Sequence, residues 1–171
     1  MIKDGKYADA AMYLRTCTFD DNGEVVFPVQ QGAAGDGCIS SASVAVFEDT
    51  PLYVSAGGVR AVVGTEVYEQ RNIRSRSAYI DSRLTMQNLA ESCGCVHEGR
   101  YSVAVDGVCY VADMRQVSSD ASSFDGGAQF EWYYFNNIPA KRMLSFGMSP
   151  LALGPPLISM LPPLLTHSTS M

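Results

Sequence analysis

Residues 93–115 read CGCVHEGRYSVAVDGVCYVADMR. Apolar residues alternate along this stretch, and two dipeptides, Glu98-Gly99 and Asp106-Gly107, interrupt the alternation. Asp-Gly between alternating runs is a strong hairpin signal, because a two-residue turn of the right twist needs residues that tolerate positive φ. Two such turns predict three antiparallel strands in a meander, and they also set its register. Val105 should face Val108 and Ala104 should face Cys109; across the other turn Val96 should face Tyr101, and Cys93 should face Ala104. Alternation then sorts the side chains onto two faces. One carries Val96, Tyr101, Val103, Val105, Val108, Tyr110 and Ala112. The other carries Cys93, Cys95, Ser102, Ala104, Cys109 and Val111, with His97, Arg100 and Asp113 at one end. Neither central face is polar, so the sheet must be covered on both sides, as stacked propeller blades or packed sheets are.

The sulfur in this sheet raises a chemical question. Cys93, Cys95 and His97 share one side of a single strand, which makes them the candidate metal ligands of the chain. Zinc sites, however, usually draw ligands from tight C-x2-C turns and need a fourth ligand. The only other histidine is His167. Cys93 and Cys109 fall two strands apart, about 9–10 Å between backbones, too far for a disulfide. Free cysteine packs as a small hydrophobe, so the sequence reading is of core thiols, with no metal and no cofactor. The alternative is a small metal-binding module or enzyme that uses Cys93, Cys95 and His97. Cys95 and His97 are then the sole nucleophile–base pair, with no third group to orient the imidazole.

Other strand signals precede the sulfur-bearing stretch. SVAVF (43–47), LYVS (52–55) and VRAVVG (59–64) are separated by short turns and predict a second meander, with EVVFPVQ (24–30) as an optional fourth strand. GAAGDG (32–37) reads as a flexible loop. Residues 65–92 form an arginine-containing connector with one short helix starting near Asp81 or Ser82. After a Gly- and Ser-rich loop (117–128), QFEWYYF (129–135) reads as an aromatic strand. In it Phe130, Trp132 and Tyr134 line one face, and Tyr133 and Phe135 the other. The expected fold is all-β: two antiparallel, propeller-blade-like meanders over 24–64 and 93–144, joined by the helical connector 65–92. Residues 1–23 read as a truncated strand region, and 145–171 as an irregular, Pro-rich tail.

That tail holds five of the eight prolines and no charged residue from Met143 onward. One expectation is a reading frame interrupted near Ser145; the other is a disordered extension. Its most apolar run, LALGPPLISMLPPLL, carries two Pro-Pro pairs that would break a spanning helix twice, so no membrane association is expected. The N-terminus lacks an apolar stretch with a cleavage site, so five reduced thiols inside a cell are the expectation. Net charge is −6, from 12 basic and 18 acidic residues, which argues against a general nucleic-acid binder. Arg71, Arg74 and Arg76 could still contact phosphate weakly, with Tyr68 and Tyr79 stacking on bases; the acidity favours arginines that pair with neighbouring carboxylates. Together with Trp132 and Tyr134 these arginines form the candidate interaction surface. There is no P-loop, no dinucleotide fingerprint, no G-x-S-x-G and no H-E-x-x-H. Catalytic residues are therefore not expected.

Four phrases carry a resemblance: FPVQQGAAGDGCISSASVAVFEDTPLYVSAGGVRAVVGTEV, RSRSAYIDSRLTMQNL, HEGRYSVAVDGVCYVADMRQ and FEWYYFNNIPAKRML. Over roughly residues 24–144 the chain resembles large structural proteins of tailed bacteriophages and prophages, β-propeller-like components of the tail or of the head–tail junction. The resemblance implies a non-enzymatic piece of about one to two blades. Its partners would be other virion or tail subunits, and its place the virion, assembled in the bacterial cytoplasm.

Overall fold

The computed structural model describes residues 11–15, 17–34, 37–64, 71–118, 129–146, 149–153 and 158–160. An N-terminal hairpin comprises β1 (Ala11–Arg15), β2 (Thr18–Phe19), β3 (Val25–Val26) and β4 (Val29–Ala34). The first meander is β5 (Ala45–Phe47), β6 (Thr50–Ser55), β7 (Gly58–Gly64) and β8 (Arg71–Ser75). A connector carries the short helix α1 (Asp81–Leu84) and a 3-10 turn at Leu89–Glu91. The second meander is β9 (Cys93–His97), β10 (Arg100–Val105), β11 (Val108–Ser118) and β12 (Gln129–Asn136). Three strands follow: β13 (Arg142–Phe146), β14 (Ser149–Leu153) and β15 (Ile158–Met160). The fold is all-β, with antiparallel sheets.

The second meander adopts the register that its turns dictate. Val105 pairs with Val108, Ala104 with Cys109, Val96 with Tyr101 and Cys93 with Ala104. Both turn dipeptides have positive φ throughout, 44° and 74° at Glu98-Gly99 and 49° and 77° at Asp106-Gly107. That conformation matches the right-handed twist of the flanking strands. β12 joins the outer side of β11, with a register shift between Asp113 and Val117. Both faces are covered as the alternation demands. Tyr101, Val103, Val105, Tyr110 and Ala112 enter the main core, whereas Cys93, Ala104, Cys109 and Val111 form a second cluster with Ile138.

The main core lies between the two four-stranded sheets. The first meander contributes Leu52, Val54, Val59 and Ala61, and the connector inserts Leu84 and Leu89. Two polar devices fasten the layers. The Tyr101 hydroxyl crosses to donate to the Ser43 carbonyl at 2.6 Å. Gly94 makes room for this contact, since a Cβ there would lie 2.9 Å from the Ser102 carbonyl oxygen and 3.2 Å from that of Ser43. At the opposite edge the fully buried Gln129 amide accepts from the Ala78 N–H at 3.1 Å and donates to the Ser75 carbonyl at 3.1 Å. It thereby closes the backbone hydrogen-bonding of the β8 end with a side chain from β12.

Four expectations change. Residues 24–30 do not join the first meander; β3 and β4 are the returning arm of the N-terminal hairpin, and β4 pairs with β1. The fourth strand of the meander is β8, inside the arginine segment read as connector. An edge strand tolerates charged side chains, so Arg71 and Arg74 do not prevent pairing. Gly32–Ala34, read as loop, extend β4. The segment after 145, read as irregular, contributes β14 and β15 to a sheet with β13, although Pro150 lies within β14. Most of the loop at 117–128 lies outside the described residues, but Val117 and Ser118 end β11. Tyr68 and His167 also lie outside them.

Gln129→Ala should cost about 1–3 kcal/mol, because it leaves the part-buried Ala78 N–H and Ser75 carbonyl without this partner. Gly94→Ala should cost about 1–3 kcal/mol through overpacking. Urea denaturation measures both; losses within about 0.5 kcal/mol, typical of a surface change, would contradict this account of the layer contact.

Candidate functional site

Cys93, Cys95 and His97 stand on the small face of β9, and all three are buried. Cys93 lies under the Ala140 carbonyl, with its Sγ 3.7 Å from that oxygen. Burial raises the Cys93 thiol above its usual range, pushes Cys95 up to about 11 and pushes Cys109 up to about 12. A thiol held protonated is a poor nucleophile and a poor metal ligand. Among the described residues no three His, Cys, Asp or Glu side chains come together as a metal-binding group.

The imidazole has a different partner from the one the sequence offered. His97 Nδ1 lies 2.8 Å from the Ser145 hydroxyl of β13, and the two share a hydrogen bond. Its Nε2 faces Glu98 Oε1 at 3.9 Å, beyond hydrogen-bond reach, and has no hydrogen-bond partner among the described residues. A serine nucleophile would need the second imidazole nitrogen held by a carboxylate; here that bond is not made. His97 instead ties β13 to the edge of the second sheet. Nothing in the sequence pointed to Ser145, because its neighbours neither alternate nor carry a motif.

Across the sheet from His97 lie Arg100 and Asp113, in one cross-strand row. Asp113 is buried and accepts from Arg115 through both carboxylate oxygens, each at 3.0 Å. Arg115 holds the Asp113 carboxyl below the usual carboxylate range, against the opposing effect of burial. Asp113, flanked by Arg100 and Arg115, is therefore not an open carboxylate.

The arginines and aromatics of the candidate interaction surface are largely turned toward each other. The Trp132 indole donates to the Arg76 carbonyl at 2.9 Å, and the Arg76 guanidinium lies 5.8 Å from the Phe130 ring centroid. Arg83, not singled out from sequence, stacks on Tyr134 at 3.9 Å, and Tyr134 meets Tyr110 edge-on at 5.4 Å. Such cation–π contacts join the connector to the face of β12. Burial, and next the charge of Arg74, lower the Arg76 pKa. Arg74 is half-buried opposite Ala61; Arg71 pairs with Gly64 in β8, and its side chain lies outside the described residues. Trp132 and Tyr134 are both half-buried in this seam.

Comparison with known protein families and with curated proteins finds no match. Among the described residues no helix is long and apolar enough to cross a membrane.

Thiol reactivity distinguishes buried core cysteines from a reactive site. At pH 8 a disulfide reagent should titrate one thiol rapidly in the native protein, the exposed Cys17, and Cys17→Ser should abolish that phase. Cys93, Cys95 and Cys109 should react only on unfolding. The unfolded thiols ionise near 9 while the folded Cys95 ionises near 11, so stability from this group is intact below pH 9 and is lost as pH rises toward 11. Rapid native-state labelling of Cys95 would contradict the assignment.

Proposed function

We propose that this chain is a non-catalytic structural module of a tailed-phage or prophage particle, a propeller-blade-like piece of the tail or head–tail junction. Its work is to hold strand-rich surfaces against neighbouring subunits. The observation that carries this reading is the stacking of two sequential four-stranded meanders, face to face, around one core. Propellers repeat this unit, typically with 4–8 blades of four strands. The chemistry points the same way: the thiols are held protonated, His97 serves as a strut, and the arginine–aromatic pairs join elements of one chain.

The reading is tested outside the molecule. Reading frames beside the gene should encode capsid, portal and tail proteins, and particles purified after prophage induction should contain peptides from residues 24–144. Neighbours belonging to a metabolic operon, with no such peptides in purified particles, would contradict it.

A further inference from the structure

The N-terminal hairpin has an inner and an outer part. Its inner part, β1 and β4, pairs from Ala11 to Arg15, and its outer part, β2 and β3, pairs at Thr18–Val26 and Phe19–Val25. Phe19 and Val25 share a face as a cross-strand pair, and Phe27 and Val29 continue the alternation. These four side chains are 72%, 53%, 54% and 53% exposed, and none belongs to any of the apolar clusters. Asp20 closes the turn beyond them: its Oδ1 accepts from the Asn22 and Glu24 backbone N–H groups at 2.9 and 2.8 Å. A two-stranded hairpin is marginal by itself in water, and an apolar stripe along one is an unfinished surface.

The charge of this arm is opposite in sign to that of residues 71–92, whose exposed arginine among the described side chains is Arg83. Residues 17–29 carry Asp20, Asp21 and Glu24 and no basic residue, a charge of −3. Residues 71–92 carry four arginines against Asp81 and Glu91, which leaves +2 in a chain of net −6. The outer side of that connector is also apolar in part. Met86 is 87% exposed and Tyr79 is 55% exposed, and they flank α1 with its exposed Arg83. The Tyr79 hydroxyl meets Ser118 at 3.4 Å, at the end of β11.

We infer that the hairpin arm of one copy docks on the connector of a second copy, its Phe19–Val25–Phe27 stripe against Tyr79 and Met86 and its acidic turn beside Arg83. The two surfaces differ, so the contact is heterologous and propagates head to tail into a ring or a filament. This deepens the structural reading by naming a partner, and it fails separately: gene neighbourhood tests the reading, and self-association tests the arm.

Sedimentation velocity on the full chain over a concentration series is the experiment. The wild-type chain should associate reversibly, and more strongly at low salt, where the charge match is least screened. An arm variant, Asp21→Lys with Glu24→Lys, and a connector variant, Met86→Glu, should each associate at least about tenfold more weakly, a loss typical of a central interface position. All three positions are exposed, and unchanged melting curves confirm folding; Phe27→Ser is a second arm variant. Mixed in equal amounts, the arm and connector variants should form a 1:1 complex that grows no further, because one intact arm meets one intact connector. A monomeric wild type, variants that associate as the wild type does, or a mixture that remains monomeric would each overturn the inference.

Discussion

A pleated sheet with hydrocarbon on both sides has no face to give to water, and the rest of the molecule follows from covering β9–β12 twice. On the large face the cover is the first meander, together with Leu84 and Leu89 of the connector. On the small face it is Ile138, with Ala140 and Met143 packed beside it. The two covers need different side chains: tyrosine and valine where a whole sheet approaches, cysteine and alanine where a thin segment lies flat. Cysteine here is a choice of volume. At about 25 cal/mol per Å² of apolar surface removed from water, filling both faces is the main source of stability available to a layer of this kind.

Polar groups in this arrangement act as fasteners. Tyr101 crosses to Ser43 at one edge of the sandwich, and Gln129 bridges Ser75 and Ala78 at the other. Ser40 adds a third tie, its hydroxyl donating to the Ser92 carbonyl at 2.6 Å. Each joins segments more than 50 residues apart in the chain. Buried hydrogen bonds of this kind add modest net stability, but leaving one partner unmatched is costly; they therefore fix how the sheets are aligned. The arginine–aromatic seam does the same on the outside, so residues that resemble a binding surface in sequence are spent on holding α1 against β12.

Most of the second meander was legible in the sequence because its information is local. Alternation, Glu98-Gly99 and Asp106-Gly107 together determine pairing, register and face, and all of these survive in the structure. The short helix was legible from Asp81, Leu84 and Leu89. What escaped was long-range. Strand β8 is rich in arginine and finds its place only because β7 offers an open edge. Strands β1 and β4 pair across a hairpin with an irregular register, which no two-residue turn announces. Ser145 acquires a role only when β13 comes to rest beside His97. At the candidate site the three ligand-type residues were correctly placed on one side of one strand, but their burial depends on chain that lies elsewhere.

Native-state hydrogen exchange tests the shared core most directly. If the two meanders are layers around one core, the amides of Ser102–Ala104 and Cys109–Val111 should exchange only by global opening, with the same free energy as those of Tyr53 and Val54 in the first sheet. Exchange of the first sheet through a separate opening of lower energy, while the second stays protected, would show that the layers do not depend on each other and would contradict the account.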